Sequence, residues 1–114
     1  WGEEFVHRYL MARVPSSQHV RWMNQEEESG ECYDLRIEDA NGDASFYIEV
    51  KASKASQKAI FEVSHREWMF AQQQGEKYHI YRVLNAGQAN ATLIRIVNPY
   101  KQWRDRRVGV CFAL

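Results

Sequence analysis

The chain has 114 residues, of which 45% are hydrophobic and 26% are charged. This length suits one domain, and the composition excludes a disordered tail, a collagen-like chain and a coiled-coil rod. Lys plus Arg and Asp plus Glu each number 15, so the net charge is zero and does not imply a surface for polyanions in general.

The first half of the chain has the pattern of one helix followed by strands. Apolar residues from Phe5 to Val14 recur at helical spacing, which predicts a helix over Gly2 to Arg13. Strict alternation of apolar and polar residues predicts two neighbouring strands, and a third candidate precedes them. The three predicted strands are His19 to Asn24, Cys32 to Glu38 and Ser45 to Lys51.

In the second half, Ser64 and Glu67 form a capping-box signature, which begins a helix that runs to about Gln74. The remaining predicted elements are strands over 77–84 and 91–97, a short helix over 100–106 and a last strand over 108–113. Four large aromatic residues are predicted to be core: Trp22, Phe61, Trp68 and Phe70. This order indicates an α/β or α+β fold around a mixed sheet.

Asn41-Gly42 is a strong hairpin signal between two alternating strands. If these are the two loop residues, the numbers of paired residues add up to a constant value of about 83. The apolar pairs in this register are Ile37 with Phe46, Leu35 with Ile48 and Tyr33 with Val50. Every apolar residue then meets an apolar partner, which supports the register.

The same register places Asp34 directly opposite Glu49, with Cβ atoms ~4.5–5.5 Å apart, and Lys51 on the same face. Two such carboxylates repel each other unless they share a proton, which raises one pKa, or hold a hard cation. A third interpretation is an exposed strand face on which Arg36 and Lys51 screen the acids. The pair itself leaves these three interpretations open.

The order of the acidic residues resembles that of the PD-(D/E)XK nuclease superfamily. Its pattern is an acid on the first helix, an acid on the second strand and E-x-K on the third. Glu3, Asp34 and Glu49-Val50-Lys51 match it in this order. We predict Glu3 rather than Glu4 as the helix acid, because Glu3 shares a helix face with Leu10.

Several longer stretches resemble the NO VEIN C-terminal domain family. They are residues 2–6, 29–30 with 33–34, 47–53, 61–64, 67–68 with 70–71, and 78–83, and the resemblance covers roughly residues 1–98. It implies a restriction-endonuclease-like mixed β-sheet flanked by helices, in the order αβββαβ with C-terminal additions, as a single domain over 1–114. Because the chain begins without Met, we expect it to be part of a larger protein.

The resemblance also implies a chemistry, namely Mg²⁺- or Mn²⁺-dependent cleavage of phosphodiester bonds in DNA or RNA. Asp34, Glu49 and the Val50 carbonyl would hold the ion. Lys51 would orient or deprotonate the attacking water, or stabilise charge in the transition state. Glu3 would position a water ligand of the ion or a second ion.

Two other function classes are compatible with the same residues. One is a non-catalytic domain that retains the nuclease fold to contact nucleic acid or a partner protein. The other is an acid–base hydrolase that uses the carboxylate pair alone, although the chain shows no Ser/His arrangement or second acid–base pair for it.

Basic residues in two stretches are candidates for contacts with nucleic acid. They are Lys54, Lys58, Lys101, Arg104, Arg106 and Arg107. The C-terminal four are interleaved with Tyr100 and Trp103, which suits backbone contacts and base stacking. The same stretch suits a helix that docks on another domain of the parent protein.

No apolar run approaches the ~20 residues of a membrane span, and Trp1 to Glu4 are acidic where a signal peptide is basic. We therefore expect no membrane association and an intracellular location, with which a nuclear location is compatible.

Overall fold

The computed structural model describes residues 1–25 and 30–111. The elements are α1 (Gly2–Met11), β1 (His19–Trp22), β2 (Leu35–Glu38), β3 (Ala44–Ala52), α2 (His65–Gln74), β4 (Tyr78–Leu84), β5 (Thr92–Val97) and α3 (Pro99–Arg104), with a 3-10 turn at Gly75–Lys77. The predicted mixed α/β class and the order of these elements are confirmed. None of the described helices is long and apolar enough to cross a bilayer.

The predicted last strand is wrong over Val108–Cys111, and residues 112–113 lie outside the described residues. The backbone N–H groups of Arg107 and Val108 both donate to the carbonyl of Gln102. These two local hydrogen bonds turn the chain back on α3 where the predicted strand would begin.

The five strands form one sheet in the order β1-β2-β3-β4-β5. β3 and β4 are parallel, and the other neighbouring pairs are antiparallel. A parallel pair needs a crossover connection, which residues 53–64 and α2 supply. The C-terminal ends of β3 and β4 therefore lie at the same edge of the sheet.

Helices cover both faces of the sheet. On the first face, α1 packs on an apolar cluster that consists of Val6, Leu10, Val20, Leu35, Ile37, Ile48, Tyr81 and Val83. On the second face, α2 packs on Tyr33, Tyr78 and Ile80 through Ala71. Because side chains alternate along a strand, Ile48 lies on the first face while Glu49 and Lys51 lie on the second.

The predicted pairs Leu35 with Ile48 and Ile37 with Phe46 are confirmed, but the turn is one residue longer than predicted. The predicted pair Tyr33 with Val50 is wrong, because β2 begins only at Leu35 and Tyr33 packs on the second face while Val50 packs on the first. Leu35 pairs with Ile48, and the register shifts only beyond Ile37, toward the turn. The Asp39 N–H donates to the Asp43 carbonyl, and Gly42 has a φ of 84°. The Asp39 carboxylate also accepts from the Asp43 N–H at 3.0 Å, which favours a three-residue loop with a left-handed glycine.

Candidate functional site

Asp34 and Glu49 lie together where β2 begins. The Asp34 N–H donates to the Ile48 carbonyl at 2.9 Å, and the Asp34 Oδ2 accepts from the Val50 N–H at 2.8 Å. Glu49 is 5% exposed, and its carboxyl group forms a hydrogen bond with that of Asp34. The structure thus brings together the two acids that the hairpin register places opposite each other.

Lys51 reaches Glu67 on α2, across the second face of the sheet. Its Nζ lies 3.0 Å from Oε1 and 3.3 Å from Oε2 of Glu67. Glu67 Oε1 also accepts the Ser64 N–H at 2.8 Å, which completes the capping box that begins α2. Because Glu67 hydrogen-bonds to Glu49 as well, one side chain joins the helix N-terminus to both Glu49 and Lys51.

Glu3 approaches the same acids from α1, through an amide group. Its Oε1 accepts from Trp22 Nε1 at 3.0 Å and from Asn24 Nδ2 at 3.3 Å. Asn24 Nδ2 also donates to Asp34 Oδ1 at 2.8 Å. Glu4 instead forms an exposed ion pair with Arg8 at 3.8 Å. Of the two helix acids, Glu3 is thus the one that faces Asp34.

The close approach of α1 to the sheet depends on Gly2. A Cβ atom at this position would lie 2.6 Å from the Cβ of Ala52 and 3.5 Å from Cγ1 of Val50. Only a residue without a side chain lets the helix begin this near β3. The contact fixes the height of Glu3, the next residue, above the sheet.

Burial and neighbouring acids separate the pKa values of two glutamates in the site. Burial, followed by the hydrogen bonds with Asp34 and Glu67, raises the pKa of Glu49 far above its ordinary value. Burial also opposes ionisation of Glu67, but the hydrogen bonds from Glu49, Ser64 and Lys51 outweigh it and lower the pKa of Glu67. Glu49 therefore carries a proton at neutral pH while Glu67 is ionised.

The carboxylates of this site fit Mg²⁺ only if the ion also keeps several water ligands. Asp34 and Glu49 offer carboxylate oxygens, and Mg²⁺ needs one or two of them. The charge of a divalent cation would also offset the repulsion from the neighbouring acids, which, after burial, raises the pKa of Glu49. Across residues 1–25 and 30–111, no group of three or more His, Cys, Asp or Glu side chains is arranged to hold a metal ion. The ion and its predicted Val50 ligand stay predictions.

The six candidate nucleic-acid residues are all exposed, and they lie in two separate places. Lys54 and Lys58 lie in the connection after β3, where Lys58 lines a cleft beside Lys51. The other four lie on or just after α3: Lys101, Arg104, Arg106 and Arg107. Lys101 pairs with Asp105 at 3.3 Å, and the Arg104 guanidinium lies 5.5 Å from the Tyr100 ring centroid.

The α3 residues flank an aromatic cluster on the same side of the sheet as Glu67. The ring centroids of Trp68 and Trp103 are 6.0 Å apart, and those of Tyr100 and Trp103 are 5.6 Å apart. Trp103 is 41% exposed. The structure therefore presents an accessible aromatic ring next to basic side chains on α3.

Sequence reasoning missed three residues that contact the candidate site. Glu67 was explained fully by its role in the capping box, although its position in a family-like stretch was a usable signal. Trp22 was assigned to the core, but its indole N–H contacts Glu3. Asn24 had no sequence signal, because its role arises only when β1, β2 and α1 meet.

Residues 2–96 match the family model described as Protein NO VEIN, C-terminal. The chain belongs to this family. It is 42% identical over 100 residues to Protein NO VEIN of Arabidopsis thaliana, a match that covers 88% of this chain and 4% of that protein. It is 40% identical over 104 residues to Protein NO VEIN-LIKE of the same plant, which covers 91% of this chain and 16% of that protein. No solved structure matches the chain.

The match to the NO VEIN C-terminal family contains the candidate site but not all of the candidate contacts. Glu3, Asp34, Glu49, Lys51 and Glu67 all lie within residues 2–96. The four basic residues on and after α3 lie beyond that range. The chain spans only a small part of the curated NO VEIN relatives, so membership identifies this domain and not the activity of the whole proteins.

Proposed function

We propose that this chain is a Mg²⁺-dependent nuclease domain of the PD-(D/E)XK superfamily, with a restriction-endonuclease-like fold, that cleaves phosphodiester bonds of DNA or RNA. Mn²⁺ would support the same reaction in place of Mg²⁺. The observation that carries the proposal is the meeting of Asp34, Glu49 and Lys51 at one end of β2 and β3, with Glu3 joined to Asp34 through a single amide group. The much longer relatives support a role as a module of a larger nucleic-acid-processing protein.

The proposed division of labour follows from the contacts of each side chain. Asp34 and Glu49, with the Val50 carbonyl, would hold the ion, which would supply Lewis acidity and charge neutralisation at the phosphate. Lys51 would orient the attacking water or stabilise negative charge on the phosphate oxygens. Lys51 Nζ donates to both carboxylate oxygens of Glu67, which would fix the direction of that amine.

The proton on Glu49 gives the proposal a pH dependence. A carboxyl group has to lose its proton before both of its oxygens can bind a cation. Since the pKa of Glu49 is raised, by burial first and by the neighbouring acids next, ion binding would release a proton. We expect Mg²⁺ affinity to increase as the pH rises from 6 to 9, and calorimetry in buffers of different ionisation enthalpy would count the protons released.

A cleavage assay on single- and double-stranded DNA and RNA tests the proposal. We expect the parent chain to cut at least one substrate with Mg²⁺ or Mn²⁺ and not with EDTA. Lys51→Ala should lose ~10²–10³ in rate, whereas the control Lys77→Ala, at an exposed lysine of the 3-10 turn, should cut like the parent. Equal rates for parent and Lys51→Ala would contradict the assignment of this site.

The second candidate function is a non-catalytic domain that binds nucleic acid or another domain of the parent protein. The exposed Trp103 beside Tyr100 and Arg104 favours it, because aromatic rings and arginines together stack bases and contact phosphates. Lys101, Arg106 and Arg107 would add backbone contacts. Binding without cleavage by the parent chain, lost in Trp103→Ala, would favour this candidate over the nuclease.

A further inference from the structure

A cleft of about 440 Å³ lies beside Lys51, on the second face of the sheet. Lys51 and Arg82 are side-by-side partners on the parallel strands β3 and β4. Lys58, Phe61 and Glu62 from the connection after β3 line the cleft as well. Since neighbouring strands lie about 4.8 Å apart, Arg82 lies one strand away from the proposed catalytic lysine, which also lines the cleft.

Arg82 is the unusual residue of this cleft, because it is a buried cation. Its residue surface is 4% exposed. Nη1 donates to the Lys51 carbonyl at 2.7 Å, and Nη2 donates to the Lys58 carbonyl at 3.2 Å. A guanidinium has five N–H donors, so three are left, and among them Nε has no partner within the described chain.

The charge of Arg82 also has no counterpart in the part of the chain that the structure describes. No carboxylate there forms an ion pair with it. The guanidinium makes a cation–π contact with Phe61, whose ring centroid lies 5.2 Å from the guanidinium carbon. Glu62 lines the same cleft, but it is exposed and solvated. An unpaired buried charge is expensive, and a neutral amide could make the two carbonyl contacts without that expense.

Both observations point to an anion. Lys58 adds a second cation at the rim of the cleft, and Lys51, at its floor, is already engaged by Glu67. A tetrahedral oxyanion would pair with the charge of Arg82 and accept the unused N–H groups of its Nη atoms, because arginine forks match phosphate oxygens. The 440 Å³ of the cleft is ample for a group of this size.

We propose that Arg82, with Lys58, forms a phosphate-binding subsite that holds a non-scissile backbone phosphate next to the one cleaved at Asp34, Glu49 and Lys51. This inference rests on the proposed nuclease function for the identity of the phosphate, but the binding of phosphate itself does not need catalysis. Arg82 then acts as a substrate-binding residue, while its two carbonyl contacts keep the connection after β3 close to the strand end.

Inorganic phosphate is the first probe, titrated into the 114-residue chain without metal and followed by NMR of the arginine Nε–H signals. Arg82→Lys identifies the Arg82 signal by its loss. We expect that signal to shift saturably with phosphate and not with chloride at equal ionic strength. The exposed Arg8 signal on α1 serves as the control and should not saturate. No saturable shift of the Arg82 signal overturns the subsite, and in this arm phosphate binding is measured on the unmodified chain.

Variants give the second arm, with binding of phosphate measured by calorimetry. Lys58→Gln, at an exposed position, should weaken phosphate binding about three- to tenfold, and Arg82→Gln should weaken it more than tenfold. Arg8→Gln should bind like the parent. Phosphate binding in Lys58→Gln and Arg82→Gln equal to that of the parent overturns the subsite.

An oligonucleotide arm separates this subsite from the proposed nuclease. One methylphosphonate, which removes a single phosphate charge, is moved along a DNA or RNA strand bound in Ca²⁺. We expect one position beside the scissile phosphate to weaken parent binding about five- to tenfold and to have no such effect in Arg82→Gln. If the unmodified chain binds phosphate at Arg82 but cleaves no substrate, the subsite is supported and the nuclease function is refuted. If the unmodified chain cleaves the strand but no methylphosphonate position weakens its binding in this way, the nuclease function is supported and the subsite is refuted.

Discussion

The two faces of the sheet are built from the same strands, and they differ in what they bury near the C-terminal ends of β3 and β4. On the first face, Ile48 and Val83 are fully buried against α1 in an apolar cluster. On the second face, the next residues along the same strands are Glu49 and Arg82, which are also buried. The period of two along a strand thus puts an apolar core and a charged site back to back, a few ångströms apart.

This contrast separates the residues that stabilise the fold from the residues of the proposed site. Apolar burial on the first face stabilises the fold with no demand on charge. On the second face, α2 packs on apolar residues through Ala71, but its first turn places Glu67 against Lys51. Buried acids and an unpaired arginine lower stability and have no packing rationale. Substitutions on the two faces should therefore separate loss of fold from loss of function.

The largest effect on stability is expected on the first face. Ile48→Ala would leave a cavity between α1 and the sheet, because Ile48 is fully buried. We expect the free energy of unfolding to fall by about 2–5 kcal/mol in urea denaturation. The neighbouring substitution Lys51→Ala, on the second face, should change it by less than about 1 kcal/mol. A smaller loss for Ile48→Ala than for Lys51→Ala would contradict the division between the faces.

On the second face, Asp34→Asn should act on the ion and on cleavage. Asp34 is a proposed ligand, and an amide has lost the negative charge that attracts the cation. We expect Mn²⁺ affinity to fall at least tenfold and cleavage to fall at least a hundredfold. Calorimetric titration with Mn²⁺ measures the first effect. Asp105→Asn, which removes an exposed acid directly after α3, is the matched control. Unchanged Mn²⁺ binding in Asp34→Asn would refute the metal site.

Glu49→Gln should stabilise the chain at high pH. Burial, as the first cause, raises the pKa of Glu49 in the folded state. The protonated Glu49 therefore contributes its full stabilisation of the fold below pH ~4.5, which is the pKa of a glutamate in the unfolded chain. This stabilisation is lost as the pH rises toward the folded pKa. A glutamine keeps the donor without titrating, so we expect it to add about 1 kcal/mol or more at pH 9 and little at pH 4.

Urea denaturation at several pH values between 4 and 9 measures this difference for Glu49→Gln. Glu76→Gln, at an exposed glutamate of the 3-10 turn, should not change the pH profile. Metal should reverse the order of stability: Mg²⁺ should stabilise the parent and not Glu49→Gln. A Glu49→Gln curve parallel to the parent curve at all pH values would mean that Glu49 is ionised in the folded chain.

The smallest effect is expected from the helix acid that faces solvent. Glu4→Gln removes only an exposed ion pair with Arg8, so we expect less than about 0.5 kcal/mol of stability to be lost and cleavage to stay as in the parent. Glu3→Gln, one residue earlier, should slow cleavage about tenfold, because the charge near Asn24 and Asp34 disappears. The ratio of the two cleavage rates tests the choice of Glu3. Equal rates would remove Glu3 from the site.

Much of this arrangement could be predicted because local patterns determine it. The Asn41-Gly42 turn signal and the matching of apolar residues predicted the register of Leu35 with Ile48, and helix periodicity distinguished Glu3 from Glu4. The capping box of Ser64 predicted where α2 begins. Each of these signals acts over a few residues, where propensity and period are strongest.

What could not be predicted depends on segments that meet only in three dimensions. Asn24 gains its role from the meeting of β1 with α1, and Arg82 becomes buried only when β4 pairs in parallel with β3. The three-residue turn depends on a side chain, Asp39, that competes with the two-residue loop. The last predicted strand was apolar enough for a sheet, but the backbone N–H groups of Arg107 and Val108 donate to the carbonyl of Gln102 instead and turn the chain back on α3.

The contact between Gly2 and Ala52 has room for one methyl group. Since a Cβ on Gly2 would lie 2.6 Å from the Cβ of Ala52, Gly2→Ala should push the start of α1 outward and withdraw Glu3 from its partners. Moving the methyl to the other side, in the double variant Gly2→Ala with Ala52→Gly, should let the helix settle again. The spacing between α1 and β3 is therefore set jointly by two residues fifty positions apart. A methyl group added at Gly2 is tolerated only if the methyl group of Ala52 is removed.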